Sequence, residues 1–442
     1  MYLIYSMLFS VGVILTAPVY WWRKGRRQKP GYWAERFGSI PFQESGPGAI
    51  WVHAVSLGET LAVAALVKKM QRTFPDRKIY LSHVTPAGRE AGEKRLPDIA
   101  GRFYVPLDWP WAVRKALARI RPSLLVIVET ELWPNLFRAA READARVVIV
   151  NARMSERSLR GYRRARPFMQ RVLADVNEIY AQTEVDAERF RKLGAEPERV
   201  RMVGNLKFDA EPPQRGEFAR ALKAALRQAQ RGPVLVAAST MPNEEPLVLE
   251  AWDLIRARYP QALLILAPRH PARFEEVSQD LMQAQRGFVR RTTLHLEEPE
   301  LSRELSATGI LLLDSIGELA GVFEVADLVF VGGSLVPTGG HNLLEPAYWS
   351  KVIAFGPHME NFRDIAKLFL DSGAALQVRN PEELAHAMWL LENREARERL
   401  GAGARLVLEQ NSGATARTLD GIRKYLDHDA QDRCPALPDE VK

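Results

Sequence analysis

Short apolar runs alternate with helix-length amphipathic stretches through most of this chain, and the alternation runs twice. AIWVHAV at 49–55 is followed by ETLAVAALVKKMQRTF, and then come KIYLSHV, RFYVPL, SLLVIVE, ARVVIVN and NEIYAQT with helical spacers between them. Parallel strands cannot be joined by tight turns, so runs of this kind separated by helical patterns predict a parallel sheet with helical crossovers. The pattern restarts after a polar, proline-bearing stretch, DAEPPQRGE at 209–217, with PVLVAAS, ALLILAP, GILLLD, DLVFVGG and KVIAFG. The expectation is an α/β chain of two doubly wound domains facing a cleft, with ligands at the carboxyl ends of the strands.

A length of 442 residues suits two such domains of roughly 200 residues each. The expected division is a membrane-anchor helix at 1–22, a first domain at 23–208, a linker at 209–217, a second domain at 218–426 and a polar tail at 427–442. The anchor is expected because residues 1–22 carry no charge and Trp21 and Trp22 sit where an interfacial aromatic belt belongs. Arg23, Lys24, Arg26, Arg27 and Lys29 follow, which predicts a cytoplasmic orientation for everything beyond. A cleaved signal peptide has its charge before the apolar core, not after it, whereas Pro18 and the modest hydrophobicity leave a half-inserted helix open. The one cysteine, Cys434, excludes an intramolecular disulfide. The net charge of +7 includes a second basic run, Arg153, Arg157, Arg160, Arg163, Arg164, Arg166 and Arg171. No nucleic-acid-binding signature accompanies it, so an anionic membrane surface is the expected partner of that run, with a solvated helix face as the alternative.

Unusual residues cluster where strands end. In His53-Ala54-Val55-Ser56-Leu57-Gly58-Glu59-Thr60 a strand opens into a helix with Glu59 in its first turn. There the carboxylate is either a general base or a helix cap. Glu129-Thr130-Glu131 follows SLLVIV and reads either as a metal-holding acid pair or as one orienting acid beside a solvated one. Lys207 in GNLKFD offers a point charge for phosphate or carboxylate, and Arg269, after the rigid Pro268, offers a guanidinium fork. Gly332-Gly333-Ser334-Leu335, then Gly339-Gly340-His341-Asn342-Leu343-Leu344-Glu345, reads as a glycine turn entering a helix whose amides make an anion site.

Taken together, HAVSLGET, ETELWPN, NARMSERS, GNLKFD, APRHPARF and GGSLVPTGGHNLLEPA resemble, in order, the 3-deoxy-D-manno-octulosonic acid (Kdo) transferases of lipopolysaccharide inner-core synthesis. The resemblance implies a GT-B fold and an inverting transferase of the inner membrane, with CMP-Kdo as donor and a phosphorylated lipid A precursor as acceptor. It also implies that neither cofactor nor metal is required. By position it makes Glu59 the general base and assigns Glu129 and Lys207 to transition-state stabilisation. Pro268, Arg269, Ile316, Gly317, Glu318, Asn342, Leu343, Leu344 and Glu345 become CMP contacts. The arginines from Arg153 to Arg164 would then grip acceptor phosphates or the membrane. Two positions depart from the usual family pattern, which often has proline at Leu343 and serine at Ala54. The competing readings are a GT-B enzyme using a uridine nucleotide sugar and a non-catalytic membrane-surface protein.

Overall fold

The computed structural model describes residues 1–24, 31–42, 46–297 and 299–431, without side chains for 18–24 and 428–431. The basic cluster after the expected anchor, the Trp21 and Trp22 side chains, and the tail with Cys434 therefore lie outside what is described.

The chain divides into two compact units, Met1–Glu211 together with Asn411–Lys442, and Pro212–Gln410. In the first unit β1 (Ala49–His53), β2 (Ile79–His83), β3 (Gly101–Tyr104), β4 (Pro122–Val128), β5 (Arg146–Ala152), β6 (Glu178–Ala181) and β7 (Val200–Met202) form one sheet. Its order is β3-β2-β1-β4-β5-β6-β7 and every pairing is parallel. In the second unit the strands are β8 (Val234–Thr240), β9 (Leu263–Pro268), β10 (Phe288–Arg290), β11 (Ile310–Leu312), β12 (Leu328–Val331), β13 (Val352–Phe355) and β14 (Leu376–Gln377). They run in the order β10-β11-β9-β8-β12-β13-β14, again all parallel.

All-parallel sheets survive only when covered on both faces, which is why their strands read as continuous apolar runs. Every residue of β1, β2, β4 and β9 is buried, and Trp51 and Trp252 are the bulkiest fully enclosed side chains. Chain order reverses between β1 and β4 in the first sheet and between β8 and β12 in the second. Loops leaving neighbouring strands part company at such reversals, which leaves a crevice at the carboxyl ends.

Two expectations change. The second unit does not run on to residue 426. The helix Ala414–Gln431 returns to the first sheet, where Leu419, Ile422 and Leu426 share a core with Val63, Leu66 and Met70 of the helix Leu57–Thr73. Asp209 secures its start, accepting from Gly413 N (2.6 Å) and from Thr415 N. The apolar face of a helix says that it must be covered, not by which sheet.

The expected spanning anchor is also corrected. Tyr2–Lys24 is helical, but among the described residues no helix is long and apolar enough to cross a membrane. Its polar side chains explain this, because they are used to dock the helix on the first unit. Tyr2 donates to Asp175 (2.9 Å) and Tyr5 to Asp108 (2.9 Å), while Asn135 and Trp109 donate to the hydroxyls of Ser6 (3.0 Å) and Ser10 (2.8 Å). Tyr2 and Tyr5 also pack against the ring of Phe168.

Candidate functional site

In the first unit the sequence-predicted acids meet at the switch point. Ser56 is the N-cap of the helix Leu57–Thr73, and Glu59, three residues on, turns back in a variant of the capping box. Glu59 Oε2 accepts from Val55 N (2.8 Å) and Oε1 from the Ser56 hydroxyl (2.9 Å). The same carboxyl is nearly enclosed. Burial pushes its pKa up to about 7, the negative fields of Glu129 and Glu131 add to the rise, and the Val55 amide and Ser56 hydroxyl oppose it. The capping geometry and the raised pKa thus fall on one group.

Glu129, the first residue past β4, has a left-handed backbone, φ 63°, a conformation that costs a side-chain-bearing residue about 1–3 kcal/mol and recurs at functional sites. Its carboxylate accepts from Arg153 Nε at 2.8 Å. Glu131, whose pKa is raised by burial, accepts from Trp133 Nε1 (3.2 Å). The two acids of the triplet thus have separate partners, an arginine and an indole. Arg153 is accordingly the ion-pair partner of Glu129 and not simply one of a surface run.

Lys207 arrives from the loop after β7, on the short turn Leu206–Asp209. That turn is fixed from inside the sheet. Asn151, which is fully buried at the end of β5 with φ 53°, accepts from Leu206 N (2.9 Å), and Asn205 accepts from Lys207 N (3.0 Å). By contrast Arg157, Arg160, Arg163 and Arg164 stand exposed on and just after the helix Glu156–Arg163, which follows β5.

The second unit assembles its predicted residues the same way. Pro268 closes β9, and Arg269 N donates to Thr240 O at the end of β8 (3.0 Å). His341 lies in the field of Arg269 and His270. Burial first, then Arg269 and His270, hold its pKa down to about 4, so the imidazole is neutral. Its Nε2 is buried without a partner among the described residues. Ile316 is exposed on the loop after β11, Gly317 takes φ 92°, and Glu318 pairs with Arg291 (2.7 Å) and accepts from Ser315. Asn342 donates to Glu345 (3.2 Å) and accepts from Leu344 N (3.1 Å). Leu343 and Leu344 are buried, so any contact they offer a ligand is through the backbone.

The expected anion site at this helix start is corrected. Leu344–Tyr348 is a helix of five residues whose Leu344 amide already has an acceptor. The glycine-turn amides are taken as well, since Gly333, Ser334 and Leu335 all donate to the buried carboxylate of Glu244. Sequence reasoning missed Glu244, Asn151 and Asp108. Asp108 is fully buried with its pKa pushed up to about 6 by burial, and it binds the amides of Asn135 and Leu136 as well as Tyr5. None of the three sits in a pattern that distinguishes it from an ordinary loop or capping acid.

A family model described as 3-Deoxy-D-manno-octulosonic-acid transferase (kdotransferase) matches residues 31–210. A 3-deoxy-D-manno-octulosonic acid transferase of Haemophilus influenzae is 35% identical over 86% of this chain and 88% of its own length. One from Bordetella pertussis is 35% identical over 93% and 97%. Among solved structures, a glycosyltransferase from Rickettsia africae is 12% identical with a TM-score of 0.53, covering 86% of this chain and 99% of that one, a likeness of fold alone. The fold is thus GT-B-like, and identity at this level across most of the curated relatives decides the family: the chain belongs to the 3-deoxy-D-manno-octulosonic acid transferases and is a glycosyltransferase.

Proposed function

We propose that the enzyme transfers Kdo from CMP-Kdo to a phosphorylated lipid A precursor, with inversion and with Glu59 as general base. The observation that carries this reading is the Glu59 carboxyl, held by two hydrogen bonds at a strand end and pushed up to about 7. A base works best when its pKa lies near the working pH. In the reaction an acceptor hydroxyl oxygen bonds to the anomeric carbon of Kdo as the bond from that carbon to the CMP phosphate oxygen breaks. Glu59 takes the hydroxyl proton, and CMP leaves with the bond's electron pair. A single displacement without a covalent intermediate inverts the centre, the same stereochemical logic as in inverting glycosidases.

The donor is assigned to the second unit, to Pro268, Arg269, Ile316–Glu318 and Asn342–Glu345. Arg269 supplies positive charge to the departing phosphate and Lys207 is assigned to transition-state stabilisation, so no metal is assigned that task. Activity is expected to persist in EDTA. Complete loss with chelator and recovery with magnesium would overturn that assignment.

The acceptor is membrane-borne, and the docked helix Tyr2–Lys24 suits a bilayer surface. Its outward side exposes Leu3, Ile4, Met7, Leu8, Val11, Ile14 and Leu15, with Leu3 75% and Leu15 71% accessible. A helix with one face docked and an apolar opposite face lies in an interface. The exposed arginines Arg157 to Arg164 then meet anionic headgroups or acceptor phosphates on the cytoplasmic side of the inner membrane.

Incubating the protein with CMP-Kdo and a lipid A precursor, then measuring the lipid by mass spectrometry, tests the reaction. A mass increase of whole Kdo units is expected. An unchanged lipid, or stabilisation of the protein by UDP but not CMP, rejects it.

A further inference from the structure

The second unit holds a buried acid that the proposed reaction does not use. Glu244, fully buried just past β8, accepts from Gly333 N (2.6 Å) and Met241 N (3.1 Å) through Oε2, and from Ser334 N (3.0 Å) and Leu335 N (2.9 Å) through Oε1. Successive amides curled round one anion make a nest of the kind that elsewhere cradles phosphate. Here, at the switch point between β8 and β12, the chain fills the nest with its own carboxylate. The packing demands glycine at 332, where a Cβ would come within 2.8 Å of both Glu244 Oε2 and Ser239 O.

What Glu244 fixes is the base of a larger loop. Gly340 N (2.7 Å) and Thr338 Oγ1 (2.9 Å) both donate to Gly333 O, and His358 N donates to Ser334 O (3.0 Å). Asn342 follows directly. The adjacent Glu245 secures a second loop, accepting from Thr240 Oγ1 (2.8 Å) and from Arg273 through Nη1 (2.6 Å) and Nη2 (3.1 Å). Arg273 ends the turn Pro271–Arg273, which starts two residues beyond Arg269. Two consecutive carboxylates therefore hold the segments that carry Arg269 on one side and Asn342–Glu345 on the other.

We propose that Glu244 and Glu245 are positioning residues for the donor nucleotide, setting the spacing of those two loops without touching the ligand. The inference rests on the reading that this unit binds CMP-Kdo. Glutamine at 244 offers one acceptor oxygen and an NH2 group that cannot accept, so two of the four amides lose their partner. A shift of about 1 Å in a binding loop can cost up to a hundredfold in turnover.

The test uses the full chain, CMP titration calorimetry, thermal melting and separate KM values for the two substrates. In Glu244→Gln the CMP Kd and the CMP-Kdo KM are expected to rise together by about tenfold or more, with acceptor KM unchanged. Glu244→Asp keeps the charge but falls short of the turn, so it is expected to show the same split to a smaller degree, and it decides the matter if the glutamine variant does not fold. A lowered melt with wild-type CMP affinity would make Glu244 merely structural and overturn the proposal. Wild-type protein that fails to bind CMP overturns the donor reading itself, and this inference with it.

Discussion

Glu59 shows how one residue can carry a structural and a chemical duty at once. As a cap partner it contributes at most about 1–2 kcal/mol, so Glu59→Gln is expected to leave a folded protein. As general base it contributes roughly 10²–10⁴ in rate, so kcat in that variant is expected to fall by that factor with CMP affinity unchanged. A stable variant with near wild-type turnover would remove Glu59 from the chemistry. The raised pKa also fixes two pH dependences. The base must be ionised, so wild-type activity is expected to climb as pH rises through about 7 and then level, a limb the glutamine variant lacks. Stability runs the other way. A carboxyl whose pKa is higher folded than unfolded holds its proton more tightly in the native state, so its contribution is complete below about 4.5 and lost as pH rises to about 7. The wild-type melt should decline over that window more than the variant's. Glu59, Glu129 and Lys207 could be singled out as candidates because each stands in a distinctive motif at a strand end. Glu244 and Asn151 could not, because a buried side chain that grips backbone amides of a segment 55 or 89 to 91 residues away leaves no local mark.

At the scale of elements, the alternation of apolar runs was enough to find the strands, since burial on both faces makes each a short continuous apolar stretch. The docking of the first helix was hidden for a physical reason. Twenty-two uncharged residues satisfy the anchor pattern whether their tyrosines and serines face lipid or protein. Because Tyr5 and Phe9 pack on Phe168 and Trp109, and Tyr5 bonds Asp108, removing residues 1–16 is expected to destabilise the first unit. Losing two half-buried aromatic contacts is worth about 2–4 kcal/mol, or a melt lower by roughly 4–16 °C for a unit of this size. An unchanged melt would return the segment to a detachable anchor. The exposed helix Glu156–Arg163 makes a different prediction. Replacing Arg157, Arg160, Arg163 and Arg164 by alanine is expected to raise the KM for vesicle-borne acceptor, at about 1 kcal/mol per cation, with CMP affinity unaffected. An acceptor KM that does not move at physiological salt makes the run a solvated face.

At the scale of the whole chain, the connectivity carries the last consequence. The first unit is closed by a helix that the chain supplies only after completing the second, and that helix is held at both ends. Asp209 caps its start, while Lys424 pairs with the buried Glu178 and Arg77 donates to Leu426 O (2.5 Å) near its far end. Midway, Gly421 lies so close to the Tyr180 hydroxyl that a Cβ would sit 2.3 Å from it. The second unit needs no such return, since its sheet and its core around Trp252, Phe330 and Leu384 come from one continuous stretch. Residues 212–410 expressed alone are therefore expected to melt cooperatively and bind CMP with an affinity close to the full chain's. Residues 1–211 alone leave the apolar faces of Val63, Leu66 and Met70 uncovered where Leu419, Ile422 and Leu426 belong, and are expected to aggregate or melt broadly. Joining 411–431 to that fragment through a flexible linker should restore a cooperative melt. If residues 1–211 fold as stably without the helix as with it, the returning helix is an appendage, and the boundary read from the sequence was the better one.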